Sequence, residues 1–133
     1  MENNADCPCT SGAAYSRCCH PAHLSRGREA LSAEALMRSR YSAFVLKLDA
    51  YLLATWHPST RPSESLADAD KRQWLGLKVL GHETTVPGHA TVEFIARSRV
   101  PGQRAERLHE LSRFVFENGQ WFYVDGEVRV PSG

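Results

Sequence analysis

The sequence predicts an α+β fold in which helices come first and an antiparallel meander follows. Three observations carry that expectation. Apolar residues recur at three- and four-residue intervals over residues 36–48, the period of one helical face. From Trp74 onward the pattern changes to alternation, the period of a half-buried strand. Two turn signals, Pro87-Gly88 and Asn118-Gly119, divide the alternating region. Helices that precede a run of hairpin-linked strands lay their apolar stripes over one sheet face, because neither layer can bury itself alone.

The chain opens on a segment of a different kind. All four cysteines fall within thirteen residues, at Cys7, Cys9, Cys18 and Cys19, with His20 directly after. Two chemistries compete for them. As disulfides they allow three connectivities. Pairing Cys7 with Cys9 and Cys18 with Cys19 asks near-adjacent residues for strained geometry. The other two pairings close small rings that staple no distant parts together. As a metal site the spacing is natural. Zinc takes four thiolates at about 2.3 Å in a tetrahedron. Cys7-Pro8-Cys9 offers two on a short turn, and an eight-residue loop returns the chain to the others. Ser11-Gly12 supplies the reversal, since glycine accepts the positive φ of a tight turn. Four protein ligands leave no open position, so one structural Zn2+ is expected. His20 is an alternative to Cys19 as fourth ligand.

Residues 21–28, with Pro21 and Gly27 and no apolar period, read as a linker. Ser32 is the expected N-cap of the next helix, although Ala35 three places on forms no capping box. Its stripe is Leu36, Met37, Tyr41, Phe44, Val45 and Leu48, with Arg38, Ser42 and Lys47 mostly opposite. Asp49 is placed to cap a second helix over residues 50–56, which Pro58 ends. Residues 59–70 are polar and contain prolines, with room for a helical turn. Strands are expected at residues 74–83, 90–99, 107–117 and 120–125. In the second, Val92, Phe94 and Ala96 alternate with Glu93, Ile95 and Arg97. The chain thus divides into a metal-binding knuckle, residues 1–25, and an α+β domain, residues 28–131.

Composition removes several function classes. Sixteen basic against fifteen acidic residues leave a net charge of +1, without the basic excess on which binders of nucleic acid or anionic lipid rely. The longest apolar stretches, residues 43–46 and 51–54, fall far short of the roughly 20 residues a membrane span needs. Cysteines and prolines occupy the start of the chain, where a signal peptide would carry an apolar run. A cytoplasmic protein without membrane insertion is expected, and a reducing cytoplasm weighs against disulfides.

Residues 7–20, Cys-Pro-Cys-Thr-Ser-Gly-Ala-Ala-Tyr-Ser-Arg-Cys-Cys-His, resemble the SEC-C motif, the zinc knuckle at the C-terminus of the SecA translocation ATPase. By that resemblance Cys7, Cys9, Cys18 and Cys19 are the zinc ligands, and Ser11, Gly12 and Tyr15 their framework. Thr10 stands where the motif usually has glycine. Ala13, Ala14 and Ser16 stand where the SecA knuckle is lysine-rich, and only Arg17 remains of that basic face. Farther on, residues 33–51 (AEALMRSRYSAFVLKLDAY), 53–58 (LATWHP) and 121–126 (WFYVDG) are similar to the YchJ family of bacterial proteins. This resemblance implies a SEC-C knuckle ahead of a nuclear-transport-factor-2-like (cystatin-like) domain, whose helices close a curved antiparallel sheet around a cavity. It also implies protein contact as the knuckle's work, hence a protein partner and an interaction or accessory role.

A cavity invites a second reading, a small-molecule-binding or lyase/isomerase-type enzyme. His57 lies just past the second helix, and His109 stands beside Glu110 on a strand. Adjacent strand residues point to opposite faces, so His109 and Glu110 cannot pair with each other. Glu110, Ser112, Phe114 and Phe116 share one face. If the phenylalanines face the cavity, a carboxylate and a hydroxyl face it too, and the carboxyl pKa is expected to rise. Arg38 and Arg40 diverge by about 200° on a helix and do not converge on one ligand unaided. Arg38 is placed to pair with Glu34. Trp56, Trp74, Trp121, Phe122 and Tyr123 read as core aromatics, since no basic excess surrounds them to hold nucleic acid. No catalytic constellation is legible. Two or more polar side chains converging in a pocket would favour the enzyme; a cavity plugged by aromatics would favour a scaffold.

Overall fold

The structure is a computed structural model and describes residues 5–62 and 72–129. From residue 63 the expected polar stretch lies outside them. Among the described residues, the α-helices α1 (His20–Leu24), α2 (Ala33–Leu46) and α3 (Asp49–Ala54) precede the strands β1 (Gln73–Val86), β2 (His89–Arg99), β3 (Glu106–Glu117) and β4 (Gln120–Val128). The strands form one antiparallel sheet in chain order, the meander that the turn signals imply. Asn118 and Gly119 take φ 52° and 82°, two successive left-handed residues whose twist matches that of the flanking strands.

Ser32 caps α2 as expected, its hydroxyl accepting from the Ala35 amide at 3.0 Å. α3 is displaced from the expected span. Leu48 is its N-cap, and Asp49 sits in the first turn, where a carboxylate favours the positive end of the helix. The linker expectation for residues 21–28 also needs correcting, because His20–Leu24 forms α1. Pro21 falls in its first turn, where the missing N–H is no loss. Five residues are too few to show a helical period, which is why pattern reading passes over them.

Strand alternation places Val92, Phe94, Ala96 and Phe114 on one buried face, as the sequence implies. β1 and β4 each run three residues past their expected ends. β1 carries register shifts at Trp74/Gly76, Val79/Gly81 and Thr84/Val86, and each breaks the period-two pattern that reading by eye follows. Such irregularities also bend the strand, so β1 curls with the sheet over the helices.

α2 is buried on more than its apolar stripe. Leu36, Met37, Tyr41 and Ala43 are covered, but so are Ser39, Arg40 and Ser42. Other elements pack on the side that a helical wheel leaves to solvent. Ser39 accepts the His23 Nε2–H at its carbonyl, 2.8 Å, while Tyr15 donates to His23 Nδ1 at 2.6 Å. Thr10 donates to the Leu77 carbonyl at 2.6 Å, and Arg38 Nη1 donates to the Cys9 carbonyl at 3.1 Å. Cys7, Cys9 and Cys19 belong to the same apolar cluster as Leu36, Leu52, Val92 and Phe114.

Gly27 makes one of these joints. It follows α1 with φ +93°, and a Cβ there would sit 2.8 Å from Thr55 Cγ2. Gly27→Ala is expected to lower unfolding free energy by about 1–2 kcal/mol, since left-handed backbone and crowding act together. A urea melt checks it, and an unchanged midpoint would refute it.

Candidate metal centre and cavity

The cysteine segment is a small hairpin followed by a helical turn. The Cys7 amide donates to the Ala13 carbonyl at 2.9 Å and the Thr10 amide to the Cys7 carbonyl at 3.1 Å. Gly12 takes φ +88° at the reversal, and Tyr15–Arg17 forms a 3-10 turn that delivers Cys18 and Cys19. The four sulfurs converge, all within 4.8 Å of one another. Cys9 and Cys18 Sγ are 3.5 Å apart, Cys18 and Cys19 Sγ 3.9 Å. A disulfide would need about 2.0 Å. A tetrahedron of thiolates at about 2.3 Å from zinc has edges of about 3.8 Å, and the Cys9–Cys18 and Cys18–Cys19 separations fall on either side of that length. The donor set and its size therefore fit a metal ion. The His20 ring instead stacks on Tyr15, with centroids 5.0 Å apart.

Hydroxyls complete the surroundings. Ser42 reaches both Cys7 and Cys19 Sγ, at 3.5 and 3.4 Å, and Ser11 lies 3.1 Å from Cys18 Sγ. Such outer contacts orient thiolates and disperse their charge. Without a cation, four thiolates repel one another. The neighbouring Cys19 and Cys7 thiols hold the Cys9 thiol far below its ordinary value, whereas Cys19, crowded by Cys7 and Cys9, is pushed far above. Burial pushes Cys18 up to about 11. A bound dication removes this conflict, because a coordinated thiol is deprotonated outright.

The second site lies between α2 and the sheet. A cavity of about 210 Å³ is walled by aromatic and aliphatic side chains, with Arg40, Glu110, Ser112 and Tyr123 among its lining. Alternation thus gave Glu110, Ser112 and Phe114 their correct face. Phe116, expected with them, lies past the cavity, half exposed and edge-on to Trp121 at 5.3 Å. Arg38 pairs with Glu34 at 3.0 Å, as its spacing implied. Arg40 is the residue that pattern reading missed as a wall of the site. Its Nη1 donates to the Leu52 carbonyl at 2.8 Å and the Thr55 hydroxyl at 2.7 Å, and its Cζ lies 4.6 Å from the Tyr123 ring centre. Trp56 and Trp74 also line the cavity, whereas Trp121 and Phe122 do not.

Neither histidine candidate reaches it. His57 Nε2 meets Glu117 at 3.0 Å and His109 Nε2 meets Glu93 at 2.7 Å, the latter on the opposite sheet face. Burial raises the Glu110 carboxyl above its ordinary 4.5, with Arg40 opposing and Asp125 assisting. The folded chain then holds that proton more tightly than the unfolded one. Glu110 accordingly favours folding below about pH 4.5 and loses that contribution as pH rises through its raised value. Glu110→Gln is expected to be more stable than the parent at pH 7, with the difference shrinking toward pH 4. Denaturant melts across that range check it, and a pH-independent difference would refute it.

Comparison with known proteins agrees with this architecture. The model of the YchJ middle NTF2-like domain matches residues 32–126. A UPF0225 protein of Bordetella pertussis is 54% identical over 126 residues, 94% of each chain. Another, of Methylibium petroleiphilum, is 53% identical over 129 residues, covering 96% of this chain and 93% of that one. A solution structure of a SEC-C motif containing protein from Rhodopseudomonas palustris superposes with TM-score 0.80 at 39% identity, over 93% of this chain and 98% of that one. No α-helix among the described residues is long and apolar enough to cross a membrane. The chain belongs to the YchJ family, UPF0225, and joins a SEC-C cysteine knuckle to an NTF2-like α+β domain.

Proposed function

We propose that Cys7, Cys9, Cys18 and Cys19 hold one structural Zn2+, and that the knuckle so formed makes this chain a protein-interaction or accessory module of the cytoplasm. The observation that supports the metal is the convergence of four sulfurs within 4.8 Å of one another, two of them against the buried Ser42 hydroxyl. A closed four-sulfur sphere suits zinc and leaves no coordination site for chemistry. The contact surface is the exposed reversal at residues 10–13 with Arg17 beyond it, uncharged but for that arginine. It suits a protein partner better than nucleic acid, whose phosphates need a basic face.

Elemental analysis of protein purified without chelators is expected to find one zinc per chain, with four thiols titrating only after chelation. Absence of stoichiometric zinc, with the sulfurs oxidised in pairs, would end the metal assignment. A pull-down with the intact chain and with Ala13→Asp/Arg17→Glu, which spares every sulfur, checks the contact surface. Retention of all partners by the variant would place the contact elsewhere. The polar groups of the cavity favour a second reading, a small-molecule site, with lyase or isomerase chemistry as its catalytic form.

A further inference from the structure

The cavity contains polar groups that the protein itself leaves without partners. Arg40 is only 6% exposed and commits Nη1 alone to protein acceptors. Its Nε and Nη2 have no acceptor among the described residues. Glu110, the Ser112 hydroxyl and the Tyr123 hydroxyl likewise have no hydrogen-bond partner there. Yet no buried side-chain polar atom among the described residues is sealed off without a partner. These atoms therefore open onto the cavity, where a ligand or water must satisfy them.

Their arrangement limits what fits. Arg40 and Glu110 line one cavity without forming an ion pair, so space separates the two charges. The Nε–Nη2 edge is one that grips a carboxylate by two parallel bonds. A purely apolar ligand would leave that edge desolvated and unpaired, which is unfavourable. A cation would meet the buried guanidinium, and a dianion would meet Glu110. The walls, with Phe94, Trp74 and Phe114 among them, suit a flat apolar body. A volume of about 210 Å³ holds the liquid volume of roughly seven waters, enough for one substituted ring and below the usual drug-sized range. Gly126 belongs to the same design. It pairs with Ser112 across β3 and β4, and a Cβ there would overlap the Glu110 carboxyl. The glycine keeps room for that group on the cavity face.

We propose that this cavity binds a small aromatic monocarboxylate carrying a hydroxyl or amino group on the far side of its ring. Arg40 takes the carboxylate through Nε and Nη2, the ring lies among the aromatic walls, and Glu110 accepts from the distal donor. This rests on the small-molecule reading of the cavity and is independent of the zinc. The test titrates the full chain with 4-hydroxybenzoate, benzoate and phenol, followed by NMR shifts of the Trp56 and Trp74 indoles. 4-Hydroxybenzoate is expected to bind at least about tenfold tighter than phenol and several-fold tighter than benzoate. Glu110→Leu, which removes the acceptor, is expected to bring 4-hydroxybenzoate down to the affinity of benzoate. Arg40→Lys, which keeps the charge but loses the paired edge, is expected to weaken both carboxylates and leave phenol unchanged. Equal affinity for all three probes would overturn the ligand class while sparing the cavity as a site. Shifts for none of them at millimolar concentration would overturn both.

Discussion

Cys9→Ser is expected to unfold the whole chain at room temperature, and stripping the proposed zinc with a chelator to do the same. Cys9 is fully buried, and its carbonyl takes the Arg38 guanidinium at 3.1 Å. The next residue, Thr10, bonds the Leu77 carbonyl on β1. Ser42, itself fully buried on α2, contacts two of the sulfurs. A serine oxygen is a poorer zinc ligand than a thiolate, and the remaining three sulfurs would be left around an incomplete sphere. Structural zinc contributes about 10–16 kcal/mol in small peptides, while whole domains are stable by about 5–15 kcal/mol. Losing the ion can therefore exceed the stability of the entire fold. Calorimetry with and without chelator decides it, read beside the amide spectrum of β2 and β3. The expected result is one transition that moves as a unit. A sheet spectrum that persists while only residues 5–25 collapse would show two independent parts divided near residues 25–28.

How far the sequence disclosed this arrangement depends on the range of the information. The cysteine cluster was legible because its four sulfurs lie within thirteen residues and their spacing is itself the signal. Asn118-Gly119 was legible because a two-residue turn is set by its own φ angles. Alternation placed Glu110, Ser112 and Phe114 on one face without any knowledge of what covers it. Phe116 shares their face but lies beyond the helices, and alternation carries no information about where the covering layer ends. Arg40 illustrates the opposite limit. The helical wheel correctly turned it away from Arg38, yet nothing in a wheel says that α3 would present its last carbonyls there. Ser39 and Ser42 were equally hidden, since small polar residues look like a solvated face until a second layer packs on them.

Arg40 carries the other large effect. Arg40→Met is expected to lower unfolding free energy by about 2–4 kcal/mol, because two hydrogen bonds and two ring contacts end together. The Leu52 carbonyl belongs to the last turn of α3, where positive charge is favourable and where a helix leaves carbonyls without amide partners. Removing the guanidinium leaves that carbonyl only a long contact from the Thr55 hydroxyl, 3.4 Å, a loss of about 1–3 kcal/mol. Its stacking on Trp56 and Tyr123, at 5.2 and 4.6 Å, is lost as well. Opposing these is relief of a buried charge, since burial pulls the Arg40 pKa down to about 10. Methionine fills most of the vacated volume, so no large cavity term is added. Arg40→Lys should fall between parent and Met, because an ammonium can reach one acceptor but cannot lie flat between two rings. Urea melts of the three proteins test the order parent, Lys, Met. A methionine variant as stable as the parent would show that the guanidinium does not hold α3 against α2.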